Sequence, residues 1–208
     1  MHFSAALLAG GRSTRMGRDK AWLDWHGSPL WRAQMEKLIA LSPEKLIIAA
    51  RAEQDFAGQL ARAPLPAAIT LVNDPAGEDC GPIGAITRCL RVSAGPLLVL
   101  AVDMPTMTTD FLRDNLLSVA ATSKGAVPRG PNGYEALSAV YPTEALPLFE
   151  SALAAGRYAL QPLITELAAA GLCSVVAVRA EEEEFFFNAN TPDEAARLLS
   201  FPNQEARA

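Results

Sequence analysis

The sequence has few of the residues that build metal and disulfide sites. Its 208 residues include two histidines and three cysteines, the latter at Cys80, Cys89 and Cys173. The cysteine count is odd, and no pair has the C-x-x-C spacing. These counts argue against a disulfide framework, a structural zinc site and a histidine-based triad, and they suit a protein of the reducing cytoplasm.

Long apolar runs, the pattern of a signal peptide and an excess of positive charge are also absent from this sequence. No apolar run is long enough to cross a bilayer, and no basic region with a long apolar stretch behind it predicts a signal peptide. The formal net charge of −5 argues against a broad nucleic-acid-binding surface. We expect a cytoplasmic protein with no membrane or nucleic-acid partner, and we take it to be a monomer.

What the chain does have is an alternation of apolar strands and amphipathic helices. Hydrophobic residues make up 50% of the chain and charged residues 20%, as in ordinary globular proteins. Strands are predicted near residues 3–8, 45–50, 68–72, 97–102, 125–128 and 173–178, with helices between them. This order predicts a three-layer α/β fold, in which a mostly parallel sheet carries helices on both faces. One domain is expected over residues 1–201, followed by a tail over 202–208.

Three local features follow from residue types. Ser28 is predicted to cap the first long helix, with Pro29 at the first helical position. The charge run over residues 181–184 is predicted to be a solvated loop. Thr191 and Glu194 have the spacing of a capping box at the start of a last helix.

The most informative stretch runs from residue 7 to residue 20 and reads LLAGGRSTRMGRDK. Its glycine pair, Gly10 and Gly11, follows a buried strand and lets the backbone turn sharply and approach a ligand. Its four cations, among them Arg15 and Lys20, indicate an anionic ligand, for which a polyphosphate fits best. The stretch matches neither the Walker A pattern nor G-x-G-x-x-G. A surface loop with solvated cations is the alternative.

Other polar residues follow strands at the edge where such sheets bind ligands. Asp103 ends a wholly apolar strand, and its carboxylate suits magnesium, although it could also be a turn residue. Asp74 also follows a strand and could contact the ligand, or it could be the first residue of an Asp-Pro turn. Gly81 lies in a loop where a helix begins and could hold an anion, or be there for packing.

Two asparagines and one cysteine complete the candidates. Asn188 and Asn190 would point to the same side of an extended segment and could bind a polar ligand or serve as turn and capping residues. Cys80 could be reached as a nucleophile, but no catalytic role is predicted for it.

The stretch LLAGGRSTRMGRDK closely resembles the nucleotide-binding signature of molybdenum cofactor guanylyltransferases, within the nucleoside-triphosphate transferase superfamily. The resemblance continues in the same order through HGSPLW, DCGPIGAI, LAVDMP and FNANTPDE, which span residues 26–31, 79–86, 100–105 and 187–194. It therefore covers nearly the whole chain.

The resemblance implies a Rossmann-like fold and a magnesium-dependent reaction. GTP and molybdopterin carrying molybdenum would give molybdopterin guanine dinucleotide and pyrophosphate. The nucleotide-binding half would be about 1–105 and the acceptor-binding half about 106–201. Partners would be molybdenum insertion proteins and the recipient molybdoenzymes or their chaperones.

By this likeness, each candidate residue takes a role. Lys20 and Asp103 would be catalytic, with Asp103 binding magnesium and Asn188 and Asn190 binding the acceptor. The nucleotide-binding residues would be Leu8, Ala9, Gly10, Gly11, Arg15, Lys20, Asp74, Gly81 and Asp103.

Two departures and three alternatives stay open. Some family members have an asparagine after the second strand, where this chain has Ala49-Ala50-Arg51, and a Pro-Leu pair near residues 134–137. Related cytidylyltransferases tend to have Ala-Ala-Gly where this chain has Ala9-Gly10-Gly11, which favours guanine. The alternatives are a transferase using CTP, one using a sugar-phosphate acceptor, and a nucleotide-binding regulator without catalysis.

Overall fold

An eight-stranded sheet forms the middle layer of the fold. The computed structural model describes residues 1–11, 19–75, 80–188 and 194. The sheet order is β10-β7-β9-β6-β1-β4-β5, with β8 paired to β7, and β2 and β3 form a separate hairpin. The strands are β1 (Ser4–Leu8), β2 (Asp24–Trp25), β3 (Ser28–Pro29), β4 (Lys45–Arg51), β5 (Ile69–Asp74), β6 (Leu97–Ala101), β7 (Ala126–Gly130), β8 (Gly133–Tyr134), β9 (Ser138–Tyr141) and β10 (Ser174–Ala177).

Helices cover both faces of this sheet. The α-helices are α1 (Leu30–Ala40), α2 (Phe56–Arg62), α3 (Gly81–Val92), α4 (Ser118–Thr122), α5 (Leu146–Ala154) and α6 (Leu160–Ala169). A π-helical segment, Phe111–Leu117, runs directly into α4. Short 3-10 helices are Lys20–Trp22, Thr143–Ala145 and Ala180–Phe186. No helix in the described part of the chain is long and apolar enough to cross a membrane.

Alternation along the central strands creates two hydrophobic cores. In β6, Leu98 and Leu100 join the core that includes α1 and the π-helical segment, whereas Val99 faces the core that includes α3, α5 and α6. Ile48 and Ile47 of β4 divide in the same way. All five residues of β6 are buried, as expected for a strand covered on both faces. The predicted three-layer α/β fold is confirmed.

Parallel pairing sets the position of the site. Strands β4, β1 and β6 run side by side in parallel, and β5 pairs in parallel with β4. The carboxyl ends of these four strands therefore lie along one edge of the sheet. Strand β9 reverses direction, because it pairs antiparallel with both β6 and β7.

Two local predictions are wrong. Ser28 does not cap α1, because Ser28 and Pro29 pair with Trp25 and Asp24 in a hairpin and the helix begins at Leu30. The charge run is not a solvated loop, because residues 180–186 form a 3-10 helix in which Glu182 is buried and bonded to Arg179. The Thr191–Glu194 capping box and its helix fall outside the described residues, apart from Glu194 itself.

Candidate active site

A cavity of about 290 Å³ opens at the carboxyl edge of the parallel strands. It is lined by eight residues that the sequence singled out: Leu8, Ala9, Gly10, Gly11, Lys20, Asp74, Gly81 and Asp103. These residues are far apart in the chain and come from the end of β1 and the stretch that follows it, from the end of β5, from the start of α3 and from the loop that follows β6. The structure thus brings most of the predicted nucleotide-binding residues into one cavity.

Lys20 and Asp103 meet in this cavity. Lys20 Nζ donates a hydrogen bond to Asp103 Oδ2 at 2.8 Å, and their side chains are 13% and 20% exposed. Lys20 begins a 3-10 helix that Asp19 caps, since Asp19 Oδ1 accepts from the Ala21 N–H at 3.0 Å. A cation and a carboxylate therefore lie in contact at the wall of the cavity.

Helix α1 holds the loop that carries Asp103. Lys37 Nζ donates to the carbonyl oxygens of Pro105 and Met107 at 2.6 and 2.8 Å. Gln34 Nε2 donates to those of Ala101 and Met104 at 3.2 and 2.9 Å. Both side chains are buried. We call Gln34 and Lys37 the buried anchor. Together they donate hydrogen bonds to four backbone carbonyl groups, one before Asp103 in the chain and three after it.

Close packing explains the first glycine of the pair. A Cβ atom at Gly10 would lie 2.9 Å from Asp74 Oδ2. Asp74 Oδ1 accepts a hydrogen bond from Arg88 of α3, so the carboxylate is restrained. A Cβ atom at Gly11 would meet nothing within 4 Å. A methyl group at Gly10 would therefore have to displace the Asp74 carboxylate.

A polar cluster that the sequence analysis did not identify holds the glycine turn. Arg51 donates to the carbonyl oxygens of Gly10 and Gly11 through Nη1, and to Asp19 Oδ2 through Nη2 at 2.8 Å. Gln54 Nε2 donates to Asp19 Oδ2 at 2.6 Å and to the Ala9 carbonyl at 2.9 Å. We call Arg51, Gln54 and Asp19 the loop clamp. The position of Arg51 at the end of β4 could have indicated it, because the carboxyl ends of the parallel strands lie at the cavity.

The three cysteines differ in their surroundings. Cys80 is half-buried and lines the cavity just before α3, whereas Cys89 and Cys173 are buried. Burial raises the pKa of the Cys89 and Cys173 thiols to about 12, so both stay protonated near neutral pH.

The chain also matches the model of a known protein family. A family model described as the MobA-like NTP transferase domain matches residues 5–170. The chain belongs to the MobA-like NTP transferase family. The predicted family is therefore confirmed.

Relatives of this MobA-like chain span its length. The molybdenum cofactor guanylyltransferase of Pseudomonas putida is 34% identical over 194 residues, covering 91% of this chain and 94% of that protein. Protein A of molybdopterin-guanine dinucleotide biosynthesis from Archaeoglobus fulgidus has a TM-score of 0.74 and 23% identity, covering 94% of this chain and 96% of that one. A Mycobacterium tuberculosis protein solved in complex with manganese has a TM-score of 0.59 and 17% identity, covering 97% and 100%. The two structures show the likeness of fold.

A hairpin of β7 and β8 precedes Leu137, a residue of the cavity wall. Strand β7 runs parallel to β10, pairs with β8, and carries Arg129, whose guanidinium lies 5.2 Å from the centre of the Tyr134 ring. The next residue, Glu135, is half-buried, and this burial raises the pKa of its carboxyl. Leu137 follows and lines the cavity. The hairpin thus brings a cation and an aromatic ring together, and Leu137 is the residue of this segment that lines the cavity.

Three predicted residues are not placed in the cavity. Arg15 and Asn190 lie outside the described residues. Asn188 is described but does not line the cavity, and its Oδ1 is buried without a hydrogen-bond partner among the described residues. The roles assigned to all the candidate residues stay predictions.

The donor set available to a metal is small. Within residues 1–11, 19–75, 80–188 and 194, no three His, Cys, Asp or Glu side chains cluster as a metal cage. Asp103 offers one carboxylate at the cavity wall, with Asp74 on the opposite side of the Gly10 turn.

Proposed function

We propose that this protein transfers GMP from GTP to the terminal phosphate of molybdopterin carrying molybdenum, producing molybdopterin guanine dinucleotide and pyrophosphate. The observation that carries the proposal is the Lys20–Asp103 pair, which lines one cavity with the Gly10–Gly11 turn. The guanylyltransferase name of the Pseudomonas putida relative supports the choice of nucleotide and acceptor. In this proposal the nucleotide-binding half is about 1–105 and the acceptor-binding half about 106–201.

The chemistry requires little from the protein beyond positioning and charge. An oxygen of the acceptor phosphate attacks the α-phosphorus of GTP in line, and the bond to the bridging oxygen breaks as pyrophosphate leaves. The attacking phosphate is already anionic, so no strong general base is needed. Lys20 neutralises charge on the α- and β-phosphate oxygens, and backbone N–H groups of the glycine turn bind the phosphates.

Magnesium fits Asp103 in this proposal. The carboxylate is one-fifth exposed, and Oδ1 has no hydrogen-bond partner among the described residues. Magnesium usually takes one or two carboxylates and completes its shell with water and substrate phosphates. When bound, it would neutralise charge on the triphosphate and on the leaving pyrophosphate. The manganese complex of the Mycobacterium tuberculosis relative supports a divalent ion in this fold.

The test is a product assay on the full chain. Purified protein is incubated with molybdopterin carrying molybdenum, Mg²⁺ and either GTP, CTP or ATP, and the dinucleotide and pyrophosphate are quantified. We expect a guanine dinucleotide in equal amount to pyrophosphate, and no product without Mg²⁺. A cytosine product would overturn the choice of nucleotide. Tight GTP binding without any turnover would instead support a regulator.

A further inference from the structure

We propose that Arg51 is a positioning residue that ties together the two described ends of the glycine-rich stretch and thereby sets Lys20 against Asp103. This inference rests on the proposed function, because it concerns the same nucleotide site. It assigns a role to a residue of the Ala49-Ala50-Arg51 segment, where some family members have an asparagine.

The contacts of Arg51 join two places in the chain. At one end are the carbonyl oxygens of Gly10 and Gly11, and at the other is the carboxylate of Asp19. A single guanidinium thus links the exit of β1 to the residue just before Lys20. The Arg51 and Asp19 side chains are only 22% and 16% exposed, so solvent screens this pair weakly.

Gln54 makes the arrangement specific. Its Oε1 accepts from the Arg51 backbone N–H at 2.8 Å, and its Nε2 bonds both Asp19 and the Ala9 carbonyl. The Gln54 side chain is buried, and it donates to the same Asp19 oxygen, Oδ2, that Arg51 bonds. Asp19 then uses its other oxygen to cap the 3-10 helix that begins at Lys20. A continuous chain of hydrogen bonds therefore runs from the glycine turn to Lys20.

The orientation of the glycine peptide follows from the same contacts. The peptide group is planar and trans, so the Gly11 N–H points opposite to the Gly10 carbonyl and away from Arg51. Gly11 lines the cavity, where amide N–H groups with this polarity suit an anion. Arg51 thus acts through the backbone and through Lys20.

Only an arginine suits this task. Its planar guanidinium presents several N–H donors in a fixed fork and can bond the two carbonyls and the carboxylate together. A lysine would keep the positive charge but could not reproduce the fork. This difference separates positioning from a simple electrostatic effect on the phosphates.

The experiment compares Arg51→Ala and Arg51→Lys with the wild type in steady-state GMP transfer, with urea unfolding measured in parallel. The matched control is Arg113→Ala, which removes an exposed arginine–aspartate pair that does not line the cavity. We expect kcat/KM for GTP to fall roughly 100-fold in Arg51→Ala, with most of the loss in kcat, because a small displacement of a catalytic group has an effect of this size. Arg51→Lys should fall to within threefold of Arg51→Ala, and Arg113→Ala should match the wild type.

A double variant tests the route through Lys20. If Arg51 acts in part by placing Lys20, the loss caused by Arg51→Ala should be several-fold smaller in a Lys20→Ala background than in the wild type. Additive losses, or an Arg51→Lys variant within threefold of the wild type, would overturn the inference. If Arg51→Ala does not fold, Arg51→Lys and Asp19→Asn are used for the same comparison, and wild-type kinetics in both would also overturn it.

Failure of the proposed function is separable from failure of this inference. If the wild type transfers GMP and the Arg51 variants match it, the function stands and the positioning role is wrong. If the wild type transfers no nucleotide, the positioning role is judged by Mg·GTP binding in a calorimeter. Both Arg51 variants should then bind about fivefold more weakly, which corresponds to a loss of roughly 1 kcal/mol in binding free energy. Unchanged affinity in both would refute the positioning role.

Discussion

Two loops meet at the Lys20–Asp103 pair, and they are held in place by different means. The glycine-rich side is held by the loop clamp, whose members are polar and of which Arg51 lines the cavity. The Asp103 side is held by the buried anchor, in which Lys37 is 5% exposed and Gln34 is fully buried. Both devices bond carbonyl oxygens, yet only the clamp has a member, Arg51, at the cavity wall.

This difference in burial predicts that the anchor and the clamp contribute differently to stability and to catalysis. A buried carbonyl that loses its donor cannot turn to water, so loss of the anchor should reduce the free energy of unfolding. A carbonyl at the cavity wall can bond water instead, so loss of the clamp should mainly change the geometry for catalysis. Changes to the anchor should therefore lower both stability and turnover, whereas changes to the clamp should lower mainly turnover.

The largest expected effect lies at the junction itself. Asp103→Ala should lower kcat by roughly 100- to 1,000-fold, the size seen when one preorganised electrostatic contact is removed from an active site. Pyrophosphate release measures the loss, and urea unfolding should show that the variant is folded. Asp110→Ala, which removes a highly exposed carboxylate nearby, should be neutral. Near wild-type activity in Asp103→Ala would contradict its catalytic role.

The next effect tests the buried anchor. Lys37→Met should lower the free energy of unfolding by about 2–3 kcal/mol, because the Pro105 and Met107 carbonyls lose their donor. Chemical denaturation measures this, and kcat per folded molecule should change less than in Asp103→Ala. Lys124→Met, at an exposed pair, serves as the control and should change stability little. An unchanged denaturation midpoint in Lys37→Met would show that the buried anchor does not stabilise the fold, and the proposed difference between the two loops would be wrong.

A smaller effect concerns the glycine pair. Gly10→Ala should lower the free energy of unfolding by about 1 kcal/mol, because the new methyl group would press on the restrained Asp74 carboxylate. Gly11→Ala has open space and should leave the unfolding curve close to that of the wild type. Thermal or urea unfolding of the two variants gives the comparison, and equal losses would argue against a packing role for Gly10.

The smallest effect depends on pH. Thr106, in the Asp103 loop, donates to the Glu184 carbonyl at 2.6 Å, so the 3-10 helix Ala180–Phe186 also supports this loop. The hydrogen bond from Arg179 holds the pKa of the Glu182 carboxyl below its ordinary value of 4.5. The ionised form is thus favoured in the folded state, and its contribution is present above the unfolded pKa and lost as the pH falls through the folded one.

The matching experiment uses Glu182→Gln. Its free energy of unfolding should be lower than that of the wild type near neutral pH, and the two should converge in acid, where the wild-type carboxyl is protonated. Glu183→Gln, next to it in the same charge run, is the control. A gap between wild type and Glu182→Gln that persists below pH 3 would show that the charge of Glu182 is not responsible.

The parts of this molecule that the sequence could predict depend on short-range patterns. The wholly apolar run of β6 indicates a strand covered on both faces, and parallel topology then places Asp103 at the ligand edge. The grouping of Gly10, Asp74 and Asp103 follows from the same rule. The chemistry of these residues, by contrast, rests on family likeness and awaits the experiments above.

Other features depended on tertiary contacts. Arg51 and Gln54 bond backbone groups and an aspartate more than 30 residues away, and no spacing rule announces such partners. Ser28 has the residue type of a helix cap, but hairpin pairing uses its backbone first. Arg179 and Glu182 have a spacing of three residues, which could have indicated their pairing within a helical turn.

The uneven burial of the cysteines has a practical consequence for chemical labelling. Cys89 and Cys173 are enclosed and hold their protons, whereas Cys80 lines the cavity beside the start of α3. A maleimide fluorophore should therefore attach to the native chain at one position, without any introduced cysteine. Its emission would report on ligand entry directly, and protection of the thiol by GTP would measure occupancy without relying on turnover.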